Sequence, residues 1–285
     1  MSSIKKTTAM FHLIRFTNLL MIVVSQYIAA VYLVFKGAYW GDTLLRKDLF
    51  ILVLATVCIA AGGNIINDYF DVKIDSINKP QRLIIDHTVT RRTALLWHLL
   101  LTLAGIVLGV FLSAPIGFLY AGTGILLWLY SYRYKRKPFI GNLLIALLTA
   151  TAVYLPALLS HDPNLLLLFF AVVSFFISLL REIIKDIEDM KGDGQFDCET
   201  IPLVYGLRKT KQILMGIIAG FMVVLMIMAL FINILSITVL VFFTLLALLG
   251  LLIKLLPADT KKEFSILSKY CKWLMLAGVL SMMIV

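Results

Sequence analysis

The amino-acid sequence predicts an all-α, polytopic membrane protein with about nine transmembrane helices, and three observations carry that expectation. Hydrophobic residues make up 61% of the 285-residue chain and charged ones only 15%, against roughly 25% charged in ordinary soluble domains. Apolar runs such as 19–35, 213–232 and 234–253 approach or reach the ~20 residues that cross a bilayer. The basic residues fall in alternate connections between these runs, as the positive-inside rule requires of a multi-pass chain.

Charge, proline and glycine punctuate the sequence into nine candidate spans, at 14–35, 49–67, 94–113, 115–132, 140–159, 164–184, 212–232, 234–256 and 270–285. The first is too long for the apolar core of a secretory signal and no small-residue cleavage site follows it, so it reads as a retained span. With the N-terminus cytoplasmic, 23 of the 26 Lys and Arg residues lie inside. Only Lys36, Arg46 and Lys47 are then left outside. The net charge of +10 therefore reads as cytoplasmic-loop bias and not as a nucleic-acid surface. Cys58, Cys198 and Cys271 have no C-x-x-C spacing and suggest neither zinc nor a disulfide framework. Runs of ~20 apolar residues without alternation exclude a β-barrel. The expectation is one transmembrane domain over 1–285, placed in the cell membrane, with its long charged loops after spans two and six and its chemistry on the cytoplasmic side.

Span two ends in Asn64-Ile65-Ile66-Asn67-Asp68-Tyr69-Phe70-Asp71-Val72-Lys73-Ile74-Asp75. Asp68, Asp71 and Asp75 fall within about 60° of one helix face and form an acidic stripe. Span six ends with Asp186, Asp189 and Asp193 at the same spacing, each 118 residues after its counterpart. Two identical stripes, four spans apart, indicate an internal duplication, with two four-helix halves plus one helix, whose halves face each other across a cavity. One such stripe would read as a solvated helix end. Two at matching places, each at a helix C-terminus where acids oppose the macrodipole, point to function.

Six facing carboxylates repel unless cations lie between them, and oxygen-only ligands favour Mg²⁺ over zinc. Magnesium held by few carboxylates completes its shell with water and phosphate oxygens, so the expected ligand is a diphosphate. Lys73, Arg82, Lys135 and Arg181 are the cations available to the charge that develops on a leaving diphosphate. Tyr130-Ser131-Tyr132-Arg133-Tyr134-Lys135 closes span four on the same side, and Arg15 and Asn18 share one face of span one. The four histidines, His12, His87, His98 and His161, have no ligand spacing. A cation transporter is the rival of a different class, but it would place its acids within the spans and not at one surface.

With these residues in hand, the sequence resembles the UbiA superfamily of intramembrane prenyltransferases over nearly its whole length. Asn67-Asp68-x-x-Asp71-x-x-x-Asp75 matches the first family motif, with Asn64 one turn earlier, and Asp186, Asp189 and Asp193 match the second. The resemblance implies nine helices around a central cavity and two Mg²⁺ ions that bridge a prenyl diphosphate between the stripes. It also implies a membrane-associated acceptor admitted with the prenyl tail. Asn78-Lys79-Pro80-Gln81-Arg82 is similar to the family's N-x-P-x-R, which makes Arg82 a diphosphate contact. The family's span-four Tyr and Lys pair is met by Tyr130 or Tyr132 with Lys135. Lys135, Arg82 and Asp71 are thus the catalytic candidates, and Asn64, Asn67, Lys73, Tyr130, Tyr132, Arg15, Asn18, Arg181 and Lys185 the substrate-binding ones. The run from Arg181 to Asp193 is most similar to the branch that alkylates the hydroxyl of a prenylated glycerol phosphate with a geranylgeranyl group. Quinone-pathway members, which prenylate aromatic acids, usually differ there, and a cyclase or hydrolase would need no acceptor. The chain departs from the family pattern at Leu83–His87, at Phe16 and at Asp197.

Overall fold

The structure, a computed structural model, describes residues 9–160, 163–196 and 198–285, without the side chain of Arg82. Lys5, Lys6, His161, Asp197 and the Arg82 side chain thus lie outside the described residues. Among the described residues, nine helices are long and apolar enough to cross a membrane and there is no strand, so the chain is a multi-pass, all-α membrane protein. They are α1 (Phe16–Ala29, continued by a π-helical turn, Ala30–Val34), α2 (Lys47–Asn78), α3 (Arg91–Leu112) and α4 (Ala114–Tyr132). After these come α5 (Ile140–Tyr154, with a 3₁₀ extension, Leu155–Leu159), α6 (Leu165–Asp193), α7 (Ile201–Ile232), α8 (Leu235–Leu255) and α9 (Lys261–Ser281).

Several helices overrun the spans expected from apolarity. The 32 residues of α2 make ~48 Å of helix, against ~30 Å of hydrocarbon. Its last turns, which hold the first acidic stripe, are therefore helix beyond the apolar run and not loop. The second stripe likewise ends α6, and the long loop expected after span six shrinks to 194–200. The segment before span seven is also helical, and it breaks at Gly206, whose φ of 76° needs glycine's freedom. Likewise α9 starts at Lys261 and not near 270, because Thr260 and Glu263 form a reciprocal capping box that holds its charged first turn.

The chain divides into two compact units, one holding the residues up to Tyr27 with Tyr39–Lys135, the other Ile28–Ala38 with Arg136–Val285. In the first, α2 packs along α3 and α4 at glycine contacts. A Cβ on Gly62 would lie 2.7 Å from Thr102 Oγ1, and one on Gly105 would lie 3.0 Å from the Ala55 carbonyl. Such close approach replaces the hydrophobic drive that lipid removes. Polar ties add to it. Tyr120 donates to the Leu52 carbonyl at 3.1 Å, and His98 Nδ1 meets the Gly62 carbonyl at 3.0 Å. In the second unit, α5, α7 and α9 all pack on α6 around a core in which Phe176 stacks on Phe221 at 4.7 Å. Asn164 caps α6 through the Leu167 N–H while its amide donates to the Leu33 carbonyl at 2.7 Å.

Candidate active site

In the first unit the acidic stripe of α2 is held by its own cations. Arg15 Nη2 donates to Asp68 Oδ1 at 2.8 Å. Arg15 has a φ of 55°, in the left-handed region that costs a non-glycine residue roughly 1–2 kcal/mol. That turn joins the short helical segment at 9–13 to α1. It is pinned by Asn64 Nδ2, which donates to the Ile14 carbonyl at 2.9 Å, and by fully buried Leu13, packed with Ile65, Ile85 and Ala94. Asp71 is buried and accepts two hydrogen bonds at one oxygen, Oδ2. One comes from Asn67 Nδ2 at 2.9 Å, the other from Lys135 Nζ, on the 3₁₀ turn Tyr134–Arg136 that follows α4.

Both cations are held firmly in the charged form. For Lys135, burial opposes the charge, but the carboxylate of Asp71, helped by Tyr130 and Asp75, outweighs it and raises the pKa above that of an ordinary lysine. For Arg15, burial is likewise overcome by Asp68, and Tyr130 again contributes. Tyr130 thus lies near both cations. Tyr132 is exposed, stacked on Trp128 at 5.3 Å and edge-on to Phe70 at 5.7 Å. Of the two tyrosines left open by the sequence, Tyr130 is the one beside the stripe. Lys73 is exposed, about 200° round the helix from Asp71 and off the acidic face.

In the second unit, Asp186, Asp189 and Asp193 follow one face of α6, and Asp186 Oδ2 accepts from Asn142 Nδ2, in the first turn of α5, at 2.7 Å. Buried Glu182 extends the same face one turn inward, so four acids at i, i+4, i+7 and i+11 lie within about 60°. Arg181 Nη1 donates to Glu182 Oε1 at 2.7 Å and stands about 100° from Glu182 on the helix, while Lys185 flanks the stripe at about 60°. Sequence reasoning missed Glu182 and Asn142. Glu182 had a signal, since it stands before Asp186 as Asn64 stands before Asp68. Asn142, a lone amide in an apolar helix, had none.

The two stripes offer carboxylates and neighbouring amides but no thiolate or imidazole, a donor set that suits a hard divalent cation. Among the described residues, no three such side chains already converge on one point. The first stripe's carboxylates are turned to Arg15, Asn67 and Lys135.

The fold and site define a multi-pass helical membrane protein with an acidic stripe at the end of each of two long helices. The chain belongs to the UbiA prenyltransferase family, whose profile matches residues 19–276. Among curated relatives, the digeranylgeranylglyceryl phosphate synthase of Methanosphaera stadtmanae is 42% identical over 163 residues, 55% of this chain and 59% of that protein. The synthase of the same name from Pyrococcus abyssi is 38% identical over 178 residues, 62% of this chain and 63% of the relative. The match thus spans about three fifths of these relatives' length. Among solved structures, one concerned with digeranylgeranylglyceryl phosphate synthase in membranes has a TM-score of 0.70 at 24% identity and covers 98% of both chains. A UbiA homologue from Archaeoglobus fulgidus, bound to GPP and Mg²⁺, has a TM-score of 0.72 at 15% identity, covering 97% of this chain and all of its own. Both likenesses bear out the fold.

Proposed function

We propose that this chain transfers a geranylgeranyl group from its diphosphate to the hydroxyl of geranylgeranylglyceryl phosphate in the cell membrane. The reading takes 1–285 as one domain with its stripes on the cytoplasmic side. The observation that carries it is the repeated acidic stripe, the first copy of which has Arg15 and Lys135 seated on its carboxylates. The names of the curated relatives support the acceptor, and the ligands of the Archaeoglobus fulgidus homologue support the donor and the metal.

In this reading Asp68, Asp71, Asp75, Asp186, Asp189 and Asp193 hold two Mg²⁺ ions. When bound, magnesium neutralises the diphosphate and makes it a better leaving group. Lys135 and Arg82 meet the charge that grows on the diphosphate as the allylic C1–O bond breaks and its electron pair departs with the leaving group. The acceptor hydroxyl oxygen then forms the new C–O bond at C1 and loses its proton. Asn67 fixes the Asp71 carboxylate and Asn64 fixes the turn that carries Arg15, so the first stripe is preorganised before substrate arrives. Tyr130 steadies Lys135, and Asn18 shares the substrate-facing turn of α1. Lys185 is the cation offered to the acceptor's phosphate, while Arg181 is engaged by Glu182. Apolar walls exclude water, which would otherwise capture the allylic cation.

The test is magnesium-dependent release of diphosphate by purified protein from geranylgeranyl diphosphate, with geranylgeranylglyceryl phosphate or an aromatic acid as acceptor and the products read by mass. A glycerol-ether product is expected. An aromatic adduct would overturn the acceptor, and no diphosphate release from folded protein with any acceptor would overturn the transferase.

A further inference from the structure

We propose that Asn142 is a positioning residue for the second stripe, fixing the rotation of the Asp186 carboxylate so that it meets a divalent cation; this rests on the metal-binding reading above. The geometry is direct. Asn142 is buried and its Nδ2 donates to Asp186 Oδ2 at 2.7 Å, a short, charge-assisted bond. An amide in an apolar membrane helix is costly unless it has a partner, and this one has a carboxylate.

The backbone supplies an independent observation. Among the described residues, four non-glycine positions have positive φ, and two of them stand immediately before helices α1 and α5: Arg15 at 55° and Phe139 at 63°. In each case an asparagine follows three residues later, Asn18 and Asn142. Asn18 precedes Asp68 by 50 residues and Asn142 precedes Asp186 by 44. The difference lies in a longer connection that contains the short helix Trp40–Leu44. The left-handed entry turn and its asparagine are therefore part of the same duplication as the stripes. The copies differ in one respect. The entry residue of α1 is an arginine that reaches Asp68, whereas that of α5 is a phenylalanine with no donor, and the amide of Asn142 takes over the leading carboxylate. An amide orients a carboxylate without bringing a positive charge that a cation would have to displace. Hydrogen-bond partners that orient a metal's carboxylate ligands are typically worth 10–100-fold in metal affinity.

The experiment follows thermal unfolding of the purified full-length protein, in lipid nanodiscs with inorganic diphosphate present, as Mg²⁺ is titrated. Wild type, Asn142→Leu, Asn142→Ser and Asp186→Asn are compared. The serine variant serves if the leucine variant does not fold, since its hydroxyl is too short to reach Asp186. Wild type should be stabilised saturably, both Asn142 variants should need about 10–100-fold more Mg²⁺, and Asp186→Asn should show no comparable stabilisation. A purely structural role would lower the melting temperature without Mg²⁺ and leave the half-saturation point unmoved. Asn142 variants that titrate like wild type, while Asp186→Asn does not respond, overturn this inference alone. If Asp186→Asn also titrates like wild type, the metal-binding reading of the stripe falls, and the inference with it.

Discussion

The stripe of α2 and the stripe of α6 share one spacing, 118 residues apart, but their leading carboxylates are held in different ways. On α2, Asp68 and Asp71 each carry a cation, Arg15 and Lys135. On α6, Asp186 is held by the neutral amide of Asn142, and the arginine on that helix, Arg181, is paired with Glu182 and not with an aspartate of the motif. The two stripes share their spacing and differ in the partners of their leading carboxylates. A carboxylate that already holds a lysine brings a cation to an arriving anion. A carboxylate oriented by an amide has no cation of its own in that bond for an arriving metal to displace. The leading carboxylates thus differ in what they hold, a cation at Asp68 and at Asp71 and a neutral amide at Asp186.

The largest effect expected is the loss of either stripe. Asp68→Ala and Asp189→Ala should each reduce diphosphate release to background while the protein stays folded by size exclusion and circular dichroism. Full activity in either variant would break the comparison at its root, since it would make one stripe dispensable. Next comes the cation. Lys135→Ala should lower the turnover rate by about 10²–10³-fold, the usual effect of removing one preorganised donor to a developing anion. Lys185→Ala should instead act mainly on the acceptor's KM. If the two variants exchanged these effects, the assignment of the leaving group to the first half would be wrong.

Much of this was legible in the sequence. The apolar runs gave the nine spans and the aspartate spacing gave both stripes, because hydrophobicity and helical period are local properties. The lengths of α2 and α6 were not legible, because a helix that leaves the hydrocarbon is continued by backbone hydrogen bonds and not by apolar residues. Nor was the choice between Tyr130 and Tyr132. They stand two residues apart at the end of one helix, and only their surroundings separate them, Tyr130 near Arg15 and Lys135 and Tyr132 exposed and stacked on Trp128. Asn142 was hidden for a similar reason, since its partner lies 44 residues away and no motif marks it.

A stability measurement sharpens the comparison at smaller amplitude. Asp71→Asn should destabilise the protein by about 1.5–3 kcal/mol, the worth of hydrogen bonds to a charged group, because it leaves Lys135 without its carboxylate. Asp186→Asn should change stability by less than about 1 kcal/mol. It weakens one hydrogen bond, but it also relieves repulsion from Glu182, one turn away on the same helix face. Thermal unfolding without magnesium would show a lowered Tm for the first variant and little change for the second. Equal losses in both would mean that the second stripe is as fully compensated as the first.

The smallest effect expected is an absence of titration. The pKa of Lys135 is raised because Asp71 outweighs the burial that opposes its charge. A folded-state pKa above the unfolded value, ~10.4 for lysine, means that the stabilisation is complete below the unfolded value and fades only as pH rises through the raised folded one. The difference in Tm between wild type and Lys135→Met should therefore stay constant from about pH 7 to about pH 10, where an ordinary lysine begins to lose its proton. A difference that shrinks across that interval would mean that the ammonium is only loosely held. Asp71 would then lack a permanent cation.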